Sequence, residues 1–248
     1  MGKILQLRIL AAGDTALTIE FGQSATRELS AQVLALDRAL AHVMTGPDAP
    51  SGIVETVPTM RSLTVYYDPL LTSHDVLARA LAPLFDGAVT KQTAGRRWTL
   101  PVCYDHALAP DLAEVAAVTG LTVGEVIHLH TSVIYRVYML GFLPGQAYLG
   151  DLPPALHLPR RLTPRTAVPP GSVAIATTMA TVYPLESPGG WHLIGRCPVP
   201  LFDPAATSPV LLAPADEVRF RSITTVEMAT LSASIAAGTW QLAADHSS

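Results

Sequence analysis

The chain is short of charge, of lysine, of cysteine and of long apolar runs, and each shortage excludes something. Charged residues fill 15% of its 248 positions, against about 25% in an average globular protein. Hydrophobic residues reach 49% and the mean hydropathy is +0.34, which excludes a disordered chain. So apolar a composition points to a surface partly covered by a partner. The formal net charge is -4, whereas a nucleic-acid binder needs a basic excess to displace counterions, so no nucleic-acid partner is expected. No run of about 18 apolar residues free of charge and proline occurs, so no membrane span is expected. Met1-Gly2-Lys3 leads into a short alternating segment, not an apolar leader core, and Gln6 stands where a myristoylation signal needs Ser or Thr. Cys103 and Cys197 make no CxxC pair and have no His at metal spacing, so no metal is expected. They read as thiols of a cytoplasmic protein.

The length suits one large domain or two modest ones, with chain enough for a core that needs no disulfides. Leu5–Leu10 and Ala16–Phe21 read as strands joined at Ala12-Gly13-Asp14. A helix follows with Ser24 as N-cap; its apolar positions Leu29, Val33, Leu36, Leu40 and Val43 line one face. After the loop Thr45–Gly52 come strands Ile53–Val57 and Leu63–Tyr67 and a helix from about His74 to Leu84. The order ββαββα gives an α+β domain with both helices on one sheet face, assigned to residues 1–92.

Polar and basic residues from Lys91 to Arg97 mark a linker, and Trp98–Tyr104 reads as a new strand that opens the domain 93–248. Pro110 suits a helix start and Gly120 its C-terminal stop. Thr122-Val123-Gly124-Glu125 spells a capping box for a second helix running to about His130. Beyond it, 14 of the 21 prolines fall between Pro144 and Pro214, which forbids long helices. The short apolar runs Val173–Ala176, Val182-Tyr183, His192–Ile194 and Val210–Leu212 suggest a small β-barrel or sandwich.

Three segments carry candidate chemistry. Tyr138–Gly150 holds three glycines and a proline among aromatics, and reads either as a β-corner or as a ligand wall lined by Phe142 and Tyr148. Pro159–Arg165 crowds three of the 14 arginines into six positions, where the planar fork suits a carboxylate or phosphate; ordinary ion pairs are the alternative. In Tyr183–His192, leading to Gly195-Arg196, Glu186 is a candidate acid, base or metal ligand and Arg196 a candidate anion contact; a plain Pro-Gly-Gly turn over Trp191 is the alternative. Ser187 sits in no GxSxG elbow, and no GxxxxGK[ST] loop occurs. His130 ends a helix, where the dipole favours its charged form.

The same segments resemble the family of bacterial 5-oxoprolinase B subunits, also called allophanate hydrolase subunit 1, which includes an inhibitor of a sporulation histidine kinase. The resemblance rests on Tyr138–Phe142 with Pro144-Gly145, Pro159-Arg160, Thr163-Pro164-Arg165 and Gly171–Ala176. It continues through Tyr183–Trp191, Leu193–Arg196 and Leu201–Pro204, with Arg61-Ser62-Leu63 and Tyr67-Asp68-Pro69 in the first domain. It implies an α+β N-terminal domain followed by a cyclophilin-like β-barrel, and a non-autonomous hydrolase subunit that cleaves 5-oxo-L-proline to L-glutamate with the enzyme's A and C subunits. ATP, Mg-bound and shared with a partner subunit, is the implied co-substrate. Arg160, Arg165 and Arg196 are then candidates for anion contacts, His130 and Glu186 for proton transfer, and Ser187 for their hydrogen-bonding partner. Kinase inhibition and a carboxyltransferase-like subunit of a biotin-dependent urea or allophanate enzyme are the family's other implied roles. One departure stands out: Thr177-Thr178-Met179-Ala180-Thr181 replaces the family's Gly-Gly-Gln-Thr-Gly-like turn, losing positive-φ freedom. The low charge content predicts that the isolated chain self-associates and that the C subunit suppresses this. Sedimentation velocity with and without that partner checks it, and a monodisperse monomer at high concentration contradicts it.

Overall fold

The computed structural model describes residues 7–46, 49–87 and 95–245, so part of the first expected strand, part of the loop after Thr45 and most of the expected linker lie outside the described residues. The chain divides into two units, residues 1–93 and 94–248.

In the first unit, β1 (Arg8–Ala11), β2 (Ala16–Glu20), α1 (Arg27–Val43), β3 (Ile53–Pro58), β4 (Ser62–Tyr67) and α2 (His74–Gly87) follow the expected ββαββα order. The sheet is antiparallel throughout, in the order β1-β2-β4-β3. Alternation along the central strands aims Leu17, Ile19, Leu63, Val65 and Tyr67 at one face. There they meet Val33, Leu36 and Leu40 of α1 and Leu77 and Leu81 of α2. The cap of α1 is Thr26, not Ser24: Thr26 is the last extended residue, and its hydroxyl accepts the Leu29 N–H at 3.2 Å.

The second unit begins with β5 (Arg97–Cys103), α3 (Leu112–Thr119), α4 (Val123–Ser132), β6 (Ile134–Leu140) and β7 (Ala147–Gly150). It continues with β8 (Arg165–Val168), β9 (Ser172–Ala176), β10 (Met179–Val182), β11 (Ser187–Gly189), β12 (His192–Arg196), β13 (Glu217–Ile223) and α5 (Thr225–Ala236). Seven strands close a barrel in the order β10-β7-β6-β13-β5-β12-β9, while β8 and β11 form a separate pair. Leu100, Val102, Tyr135, Val137, Val173, Ile175, Ile194, Val218 and Phe220 fill its core. The barrel depends on one parallel pairing, β5 with β13, in register from Arg97↔Glu217 to Cys103↔Ile223. Asp216 secures it just before β13: its buried carboxylate accepts the Arg96 N–H at 2.8 Å, the Trp98 indole N–H at 2.9 Å and the Ala213 N–H at 3.0 Å.

The capping box of Thr122 and Glu125 forms as its spelling implies, and Gly120 ends α3 in the left-handed region at φ 70°. Pro110 lies one residue before the helix cap, which is Asp111. Val210–Leu212 is not a strand: only Val210 pairs, in a single bridge to Phe202, because prolines 209 and 214 bound a run too short to build a ladder. Among the described residues no single helix is long and apolar enough to cross a membrane. Cys103 and Cys197 are free and buried, and burial pushes the Cys197 thiol up to about 12.

The turn between β9 and β10 keeps the left-handed geometry of a glycine turn without the glycine. Thr177 stands at φ 53°, its N–H given to the Leu158 carbonyl at 2.7 Å. A β-branched residue is sterically strained there. Thr177→Gly is expected to raise stability by about 1 kcal/mol, after the looser unfolded chain is set against the relieved strain. Urea denaturation checks this; a less stable variant contradicts it.

Candidate functional site

The arginine-rich segment is held against the barrel by one buried carboxylate. Asp111 donates its backbone N–H to the Leu193 carbonyl at 3.0 Å, and its Oδ2 accepts the Leu193 N–H at 2.7 Å, which fixes the start of α3 to β12. Its Oδ1 accepts Nη2 of Arg165 at 2.6 Å and Nη1 of Arg161 at 3.1 Å. Arg161 Nη1 also reaches Glu114 at 2.9 Å, and the Arg161 N–H donates to the Gly190 carbonyl at 2.8 Å. His192 donates from Nε2 to the Pro159 carbonyl at 2.9 Å, leaving its buried Nδ1 with no partner among the described residues.

Arg165 therefore stands as an internal ion pair; its Nη1 and the Nε of Arg161 are buried and unpartnered among the described residues. Arg160 is exposed. Arg160, Arg161, Leu162, Thr163 and His192 line a cleft of 350 Å³ with Glu114 and Val115 of α3. Burial raises the pKa of the nearby Tyr183 hydroxyl, and the charges of Arg160 and Arg165 pull it back down. Tyr148 meets Trp191 edge to face at 5.9 Å. Phe142 projects from the β6–β7 turn, 64% exposed and at φ 70°, so it lines no closed wall. A larger cleft of 500 Å³, between the segment around Leu201 and the tail around Trp240, contains none of the expected residues.

The expected proton-transfer groups are not brought together. Glu186 is exposed, and Ser187 on β11 is buried with its hydroxyl donating to the Pro188 carbonyl at 3.2 Å. No group of three or more His, Cys, Asp or Glu able to hold a metal occurs among the described residues. His130 sits in the barrel core, stacked on Phe220 at 4.5 Å and hydrogen-bonded through Nδ1 to the Tyr104 hydroxyl at 2.7 Å. Its expected charged form is overturned, since burial lowers its pKa from 6.5 to about 3. The loss of solvation outweighs a helix-end effect of about 1 kcal/mol. Arg196, at the end of β12, lines a different cleft beside Gly171 and Tyr183.

Sequence reasoning missed Asp111, whose only local signal is its place before an apolar helix. Arg161, Tyr183 and His192 fall inside the recognised motifs, yet their residue types alone assign them no part. Arg161 anchors the loop, Tyr183 lines the Arg196 cleft, and His192 holds the Pro159 end.

A sheet-and-helix unit followed in the chain by a closed barrel defines a class: the model of the family "Carboxyltransferase domain, subdomain C and D" matches residues 7–212. The 5-oxoprolinase B subunit of Escherichia coli O157:H7 is 41% identical over 214 residues, which cover 86% of this chain and 94% of that protein. The chain belongs to the family of 5-oxoprolinase B subunits, and its second unit is the cyclophilin-like barrel. The crystal structure of TTHA0988 is 38% identical with a TM-score of 0.73, covering 85% of this chain, which spans only 40% of that one. The Kluyveromyces lactis urea carboxylase, 18% identical with a TM-score of 0.79, shares the fold over 97% of this chain and 24% of its own length.

Because folded His130 takes its proton near 3 and the unfolded residue near 6.5, the unfolded state binds more protons in between, and stability is lost as pH falls through that window. The expected slope approaches about 1.4 kcal/mol per pH unit from this residue. Urea titrations from pH 7 to 4.5 on the wild type and His130→Gln measure it; equal slopes in the two contradict it.

Proposed function

We propose that the chain serves as the B subunit of an ATP-dependent 5-oxoprolinase, a non-autonomous hydrolase component that opens 5-oxo-L-proline to L-glutamate with the A and C subunits. The 41% identity to a 5-oxoprolinase B subunit across 94% of that protein carries the reading. The lactam is a poor electrophile because its nitrogen lone pair is delocalised into the carbonyl. ATP supplies the chemistry that overcomes this, by phosphorylating the carbonyl oxygen.

The described residues fit one phosphoryl group and not a whole nucleotide. Nη1 of Arg165 and Nε of Arg161 are buried donors without acceptors among the described residues, and Arg160 stands exposed at the same loop. Guanidinium groups held by prolines at fixed spacing suit the equatorial oxygens of a transferring phosphoryl group. In this reading Arg160 and Arg161, which line the cleft, orient and neutralise that group, and Arg165 adds its charge from behind. The exposed Glu186 carboxylate moves a proton, and the buried Ser187, whose hydroxyl donates to the Pro188 carbonyl, steadies the backbone beside it. The remaining nucleotide contacts come from the partners, which also cover the apolar surface. His130 has no part in proton transfer, being sealed in the core.

ATP hydrolysis with 5-oxo-L-proline, measured for the chain alone, with the C subunit, and with the A and C subunits together, tests the reading. Turnover is expected only in the full mixture. Arg160→Ala, which breaks no internal ion pair, is expected to lower it about 10-fold, the worth of one charged hydrogen bond. A stable three-component complex without lactam-dependent turnover overturns the proposal.

A further inference from the structure

At the end of β12 a cation is left without a counter-ion among the described residues. Arg196 is half-buried, its Nε is buried with no acceptor there, and burial alone lowers its pKa, with no carboxylate opposing. Ser172 stands opposite it on β9, in register, and its buried Oγ is also unpartnered. Residues paired across neighbouring strands point to the same sheet face, so two unsatisfied groups sit side by side. Natural structures rarely leave such groups without a ligand or ordered water.

The backbone makes room for them. Gly171 has φ +77°, and a Cβ there would collide with the Cys197 carbonyl and press on the Arg196 Cδ at 3.1 Å. The glycine lets the arginine lie close against the chain. Around it opens a cleft of 280 Å³, walled by Pro170, Pro184, Pro198, Val199 and Leu201 with Tyr183. It shares no lining residue with the cleft at Arg160. Arg196 is the only charged residue in its lining. One guanidinium, alone in charge in this lining, balances a single negative charge in a bidentate fork. A phosphate dianion demands more donors than this lining offers.

We propose that the Arg196 cleft is a second, separate binding site that takes the carboxylate of a small, compact and otherwise apolar acid. Proline walls hold the cleft in shape before the ligand arrives, so little ordering opposes binding. A five-membered ring bearing one carboxylate matches both charge and size. The carboxylate site does not rest on the function proposed above, whose phosphoryl transfer belongs to the other cleft.

Calorimetric titration of the full chain with cyclopentanecarboxylate, 5-oxo-L-proline, 2-pyrrolidinone and inorganic phosphate tests the site. The two acids are expected to bind, and pyrrolidinone and phosphate to bind about 10-fold more weakly or worse. Arg196→Met is expected to abolish the preference for carboxylates, Arg196→Lys to restore part of it, and the exposed Arg219→Ala to leave it unchanged. Should Arg196→Met fail to fold, Arg196→Gln serves instead, with the same loss of carboxylate preference expected. Carboxylate binding that survives Arg196→Met, binding of neither acid, or a preference for phosphate overturns the site. Binding of both acids by a chain whose three-component complex does not turn over leaves the site standing and removes the proposed function. Lactam-dependent turnover and acid binding both indifferent to Arg196→Met do the reverse.

Discussion

Everything distinctive about the arginine face hangs on the Asp111 carboxylate. It is a buried charge, and a buried charge is tolerated only when donors surround it. Leu193 supplies one donor, and Arg161 and Arg165 supply two more from a loop about fifty residues further along the chain. The carboxylate thus does two things at once: it fixes the start of α3 to β12, and it chooses which arginines are anchored. Arg160, one residue from an anchor, is left outside. The loop's charge is therefore presented from a rigid support, which is the condition for electrostatic stabilisation of a reacting group.

How far the sequence revealed this depends on the range of the interaction involved. The capping box at Thr122 and the stagger of Val33, Leu36 and Leu40 are local, and both form as read. Ser24 and Thr26 are both acceptable caps by type; where the chain turns helical decides between them. His130 shows the opposite limit. Its place at a helix end argues for charge, but Tyr104 after β5, Tyr135 of β6 and Phe220 of β13 close around it, and none of that is visible in its own segment. The three loop arginines are alike by composition, so only Asp111, distant in sequence, distinguishes anchor from free cation. β13 is a different kind of miss, since Val218 and Phe220 do alternate with polar neighbours in Glu217–Ile223; that strand was legible.

The two arginine-lined clefts of the barrel unit differ in how their charge is balanced. At Arg161 and Arg165 positive charge is largely neutralised internally, leaving a few directed N–H groups. At Arg196 the charge is whole and the surroundings are apolar. The first arrangement resembles a clamp for spread charge, and the second a socket for a point charge on a greasy body. No residue of the Thr177 turn lines either cleft, but the Thr177 N–H holds the backbone of Leu158, which lines the cleft at Arg160, so the departure from a glycine turn reaches that cleft only through the backbone.

The parallel pairing of β5 with β13 bears on how the protein is made. β13 lies between β6 and β5 in the barrel, yet it is the last strand of the chain. Until residue 223 has left the ribosome, β5 and β6 each present an open edge, and the barrel core has no wall between them. The first unit has only neighbouring segments to assemble and is free to fold as it emerges. Synthesis therefore passes through a stage with a finished sheet-and-helix unit tethered to a gaping half-barrel, and that stage is when a chain so poor in charge is most exposed to sticking to its copies.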